Sequence, residues 1–86
     1  MDTAAIQRFS KPDQILHVAA ELTRAAGWQS DHDVFSGCIK RALDLVRAIE
    51  GDPKWNDNPD LLALLKHDLE RVRVGKESVE ELLSVL

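Results

Sequence analysis

The stretch GDPKWNDNPD, residues 51–60, gathers Asp52, Asn56, Asp57, Asn58 and Asp60 around one tryptophan. So many oxygen donors raise the chemistry of a hard cation. A calcium loop needs oxygen ligands at alternate positions, a central glycine and a closing bidentate glutamate. Counted from Asp52, Lys54 stands third and Ala63 twelfth, with no glycine between. That order does not make a calcium site. Gly51 instead ends one helix, Pro53 blocks its continuation, and Asn58-Pro59 opens the next. Trp55 is left over, with two readings open. It covers the end of a helical bundle, as large amphipathic side chains do in small domains, or it anchors an interface.

Three histidines raise transition-metal chemistry. His17 and Glu21 sit one helical turn apart, His32 lies within Asp31-His32-Asp33, and His67 precedes Asp68. Zinc needs three or four such groups converging on one point. On helical wheels His17 and Glu21 fall opposite the apolar face of their helix, as does His67 on its own. They are expected to point outward and apart, so neither a metal nor another cofactor is expected within one chain. Asp31 and Asp33 have a simpler use, because acids in a first turn complement the helix dipole.

Cys38 could serve as a nucleophile beside a base. It lies mid-arc on an apolar helix face, where cysteine behaves as a small inert hydrophobe. No glycine-rich phosphate loop, serine elbow or paired-cysteine cluster is present. The acids fall at caps or beside bases, as in Lys40/Asp44, Lys66/Glu70 and Asp68/Arg71, a pattern of solvated helix pairs. No catalytic activity is expected.

The elements that position these residues follow from start and stop signals. Residues 1–9 form an N-terminal arm, partly flexible or a short helix. Residues 10–86 form a single domain with helices at about 11–26, 31–50, 59–74 and 79–86. Ser10 caps the first of these, with Pro12 in its opening turn and Gly27 as a left-handed stop on which Trp28 packs back. Ser30 caps the second, which runs to Gly51. Gly75 closes the third, and Ser78 with Glu81 makes a capping box for the last.

Apolar arcs appear on each helix at a spacing near 3.6. The 11–26 helix offers Ile15, Leu16, Val18, Ala19, Leu22 and Ala26. The 31–50 helix carries an arc of about 180°, from Val34 to Ile49, suited to two neighbours. The 59–74 helix offers Leu61, Leu62, Leu64, Leu65, Leu69 and Val72. Nothing alternates with period two. Short connections then predict an all-α fold, an antiparallel three-helix bundle with a short fourth C-terminal helix. That last helix is too short to stand alone in water, so Val79, Leu82, Leu83 and Leu86 must dock on this bundle or on another chain.

The 86 residues are 44% hydrophobic and 30% charged, with a formal net charge of −4. The balance is globular. It disfavours nucleic acid and anionic membrane, which reward a concentrated basic face. A single cysteine, no apolar run near the start and none of membrane-spanning length point to a soluble cytoplasmic protein.

Two alternatives have specific features behind them. Gly27, in a short turn between helices, suggests a helix-turn-helix DNA-associated regulator. Its reading helix would begin Ser30-Asp31-His32-Asp33, however, setting carboxylates where phosphates approach. A metal- or ligand-binding accessory protein would use His17, His32 or His67.

Gly37 costs about 1 kcal/mol against alanine inside a helix. It is either tolerated drift or a close crossing by Ile6 and Phe9 of the arm, or else another backbone approaches there as a partner contact rimmed by Lys40 and Arg41. The reading drawn from these residues is a small protein–protein interaction module that associates with a protein partner or itself as a homodimer. Its expected contact residues are Gly37, Lys40, Arg41, Trp55, Leu82, Leu83 and Leu86.

Overall fold

The computed structural model describes residues 3–86. Five helices follow one another: α1 (Thr3–Gln7), α2 (Lys11–Gly27), α3 (His32–Glu50), α4 (Pro59–Arg73) and α5 (Val79–Val85), with a 3-10 turn at Pro53–Trp55. The fold is all-α, and α2, α3 and α4 form the expected bundle. Residues 1 and 2 of the expected arm lie outside the described residues. The rest of the arm belongs to the domain: Ile6 of α1 is fully buried, and the Gln7 amide donates to the Ala48 carbonyl at 2.9 Å.

Local signals place most helix ends. The Ser10 hydroxyl accepts from the Asp13 N–H, and Ser78 accepts from the Glu81 N–H at 3.1 Å. Gly75 has φ +81°, with the Gly75 N–H on the Val72 carbonyl and the Lys76 N–H on the Arg71 carbonyl. This left-handed double closure satisfies the last carbonyls of α4.

Two ends differ from expectation. Asp31, not Ser30, caps α3, its carboxylate accepting from the Val34 N–H at 3.2 Å. A carboxylate there satisfies a free N–H and also meets the positive end of the helix dipole. Gly27 keeps a negative φ inside α2, and Trp28 is 53% exposed, so no left-handed stop or packed-back tryptophan forms.

α3 is the central element. It packs along α2 on one side and α4 on the other, while α5 returns between α2 and α4 and rests chiefly on α2. The main core joins Val18 and Leu22 of α2, Ile39 and Val46 of α3, Leu65 and Leu69 of α4, and Val79 and Leu82 of α5. Ile6, Ile49, Trp55 and Leu62 form a second cluster at the base. Fully burying each such side chain stabilises by about 1.5–3 kcal/mol, which is what holds the seven-residue α5 in place.

Charges fasten the helices in a way the sequence pairs did not anticipate. Lys40 meets Asp44 at 2.9 Å as expected, but Lys66 reaches across to Glu50 of α3 at 2.8 Å. Arg71 turns to Glu77 at 3.5 Å, leaving Asp68 out. Pairing between elements displaced pairing along one helix because α3 and the α5 approach lie within reach of these long side chains.

Candidate functional site

The base of the bundle is organised by one amide. Gln14, fully buried, donates from Nε2 to Asp52 Oδ2 at 2.8 Å and to the Ile6 and Phe9 carbonyls, both at 3.2 Å. Its Oε1 accepts the Trp55 indole N–H at 2.6 Å. Asp52 in turn accepts from the Lys54 backbone N–H at 3.0 Å and from Lys54 Nζ at 2.7 Å. Those bonds, the Lys54 ammonium first, hold the Asp52 carboxyl well below its ordinary range, at about 2. Among the described residues no buried side-chain nitrogen or oxygen lacks a partner. The network ties α1, the start of α2 and the 3-10 turn together, and it leaves no polar group turned toward a ligand.

Trp55 therefore has the covering role. It is 4% exposed, with its ring in the base cluster and its N–H satisfied. The interface expectation for Leu82 is corrected: it is 1% exposed within the core and cannot meet a partner without leaving the interior. Trp55, though mostly covered, contributes to the lining of an apolar groove between α2 and α4. Leu83 is half-buried and Leu86 is 44% exposed.

Gly37 is half-buried, but no other backbone crosses it. A Cβ there would meet only the Arg41 guanidinium, at 3.6 Å. The arm contacts the opposite end of α3, at Ala48. Lys40 is held by Asp44, and Arg41 bonds Glu21 at 3.1 Å and the Cys38 sulfur at 3.3 Å. The Glu21 hydrogen bond and charge push the Arg41 pKa upward.

The Glu21 contact also corrects an expectation. Glu21 and His17 do not point outward: the Glu21 side chain is only 12% exposed, bridging to Arg41 and Arg24, and His17 is half-buried with its ring 4.7 Å from that of Phe9. His17, Glu21, Arg24 and Arg41 line a hollow of about 550 Å³ between α2 and α3, with Asp44 on its far wall. Its charges already satisfy one another, since Asp44 also holds Lys40 and Arg47. His32 and His67 lie elsewhere on the surface, and no three histidine, cysteine or acidic side chains converge among the described residues. Cys38 is 1% exposed.

A second hollow is apolar. α5 has seven residues and runs about 10 Å, whereas α2 and α4 run about 25 Å and 22 Å. Among the described residues, the channel between α2 and α4 that α5 occupies continues past Val85 as an open groove. It forms a groove of about 500 Å³, walled by Ile15, Leu16 and Ala19 of α2 and by Leu61 of α4, and headed by Leu83 and Leu86. Leu16 is 65% exposed and Leu61 51%.

At the foot of the groove Lys11 bonds Asp57 at 3.2 Å and the Asn58 side chain, and its ammonium lies 4.7 Å from the centre of a Trp55 ring. The Lys11 hydrogen bond also lowers the Asp57 pKa. Leu64, 58% exposed and one turn from Leu61, and Val85, 74% exposed beside Leu86, extend the apolar surface.

Leu16, Leu61 and Leu64 were assigned to buried arcs from spacing, and the groove was missed for that reason. No family model, curated protein or solved structure matches the chain. Among the described residues no helix is long and apolar enough to cross a membrane.

Proposed function

We propose that this chain is a protein–protein interaction module that docks the apolar stripe of a partner helix in the groove between α2 and α4. The observation that carries the reading is the groove's continuity with the seat of α5. The same two walls already hold an amphipathic helix whose apolar residues, Val79, Leu82, Leu83 and Leu86, recur at the spacing of helix-in-groove recognition. No separate catalytic activity is assigned. The buried free thiol of Cys38 supports a reducing, cytoplasmic setting.

Homodimerisation is the form in which the partner is a second copy. Monomers commonly expose apolar patches of about 300–600 Å², and stable complexes bury about 800 Å² per partner. A groove one or two turns long favours a reversible contact over an obligate dimer. Light scattering after gel filtration, across protein concentration, tests the self-association form. Replacing Leu16 and Leu61 together with aspartate tests the site. The expected result is a folded protein that has lost its partner contact; retention of the contact in that variant rules the groove out.

A further inference from the structure

We propose that the hollow between α2 and α3 binds a small organic phosphate ester, its dianionic head held by Arg24 and Arg41. The hollow lies on a different face of α2 from the docking groove and does not depend on that reading.

Each charged group around the hollow has a partner, but the cations outnumber the carboxylates. Glu21 is shared by Arg24 and, at 3.1 Å, by Arg41; Asp44 is shared by Lys40 at 2.9 Å and Arg47 at 3.6 Å. Four cations on two carboxylates leave a local charge of +2, in a chain whose formal net charge is −4. An anion drawn to this acidic protein is drawn here.

Both oxygens of each carboxylate are engaged, so what the hollow has to spare is hydrogen-bond donors. A guanidinium carries five N–H groups. Arg24 is bonded through Nη1 alone, and Arg41 through Nε and Nη2, the second on the Cys38 sulfur. Because both arginines hold Glu21, their free N–H groups lie near one another and suit one compact head with several oxygens. Phosphate has that shape and meets guanidinium groups bidentately. Lys40 and Arg47 hold Asp44 without lining the hollow, so they add to the field but seat no second anionic group.

Arg41 is fixed by its two bonds before a ligand arrives, which lowers the entropy cost of binding. Ala20, Leu45 and Ala48 give the hollow an apolar wall, and its volume of about 550 Å³ suits a small molecule. The head therefore carries an organic body.

The test is a heteronuclear NMR titration of the full chain at about pH 7.5, where a phosphate monoester carries close to two charges. The probes are phenyl phosphate, phenyl sulfate, which has a similar shape and one charge, and inorganic phosphate, which has no body. Phenyl phosphate is expected to bind with a dissociation constant of about 0.1–1 mM, from partly screened contacts. Its shifts should centre on residues 17–24 and 41–48, and it should bind at least about fivefold tighter than either other probe.

Arg24→Gln with Arg41→Gln should weaken binding about tenfold or more. That variant strips Glu21 of both partners, so a second one, Lys40→Gln with Arg47→Gln, removes the charge excess from exposed positions and keeps the clamp. It should weaken binding and bring the two esters within about twofold. Circular dichroism checks that both variants are folded.

Equal binding of the two esters by the unmodified chain overturns the dianionic head. Inorganic phosphate binding as tightly as phenyl phosphate makes it an adventitious ion only and overturns the organic ligand. Shifts centred elsewhere, undiminished binding in either folded variant, or no binding at about 10 mM overturn the site itself.

Discussion

Gln14 and Trp55, 41 positions apart, share a buried hydrogen bond of 2.6 Å from the indole N–H to the side-chain carbonyl. The same glutamine also holds two backbone carbonyls of the entering chain and the carboxylate of Asp52. Among the described residues it is the only side chain hydrogen-bonded to all of these groups.

Gln14→Ala leaves the indole N–H and the Ile6 carbonyl without that partner and opens space at the base. An unsatisfied buried polar group costs about 1–3 kcal/mol, so the loss should be about 2–4 kcal/mol. Urea unfolding followed by circular dichroism measures it. Trp55→Phe, which removes the donor and keeps most of the ring, should cost less.

Stability should fall in acid through Asp52. Its folded pKa is lowered to about 2 from an ordinary 3.8. A depressed carboxyl stabilises the folded state above its unfolded pKa, and the contribution is lost as pH falls from about 4 toward 2. Asp52→Asn should therefore show a shallower pH dependence than the unmodified chain across that interval. Chemical denaturation at a series of pH values checks this; parallel curves would remove Asp52 as the source.

Leu82 and Leu16 should separate folding from recognition. Leu82→Ala deletes a fully packed side chain and is expected to cost about 2–5 kcal/mol. Leu16→Ala, at a position 65% exposed, should stay within about 0.5 kcal/mol of the parent. Thermal melts of the two variants, read beside partner binding, should show the first losing stability and the second losing affinity.

The glycines should respond in opposite directions. Gly37→Ala meets only the flexible end of Arg41 at 3.6 Å and removes a helix-weakening residue, for a gain of about 0.5–1 kcal/mol. Gly75→Ala forces a side chain into the left-handed region at φ +81°, at a cost of about 1–2 kcal/mol. Denaturation midpoints of the pair check both signs.

The all-α architecture was legible in the sequence because caps and stops agreed with the apolar periodicity: Ser10, Ser78 and Gly75 each act locally, within a turn of the helix end they define. Asp31 displaced Ser30 because either can accept a hydrogen bond and only the carboxylate carries charge. The exposure of Leu16 and Leu61 was not legible. Periodicity shows which side of a helix is apolar, and the placement of other elements in space decides how much of that side is covered. The Gln14 network was hidden for a similar reason: a lone glutamine among apolar residues has no local pattern, and its partners come from positions 6, 9, 52 and 55. Glu21 faced inward because Arg41, from the neighbouring helix, supplied the charge that makes partial burial tolerable.

The seat of Leu86 at the head of the groove has a practical corollary. Any residues that follow Leu86 emerge beside Leu16 and Leu61, tethered at an effective concentration of order millimolar. An apolar segment there would act as an intramolecular competitor for the same surface, whereas one placed ahead of α1 would leave it open.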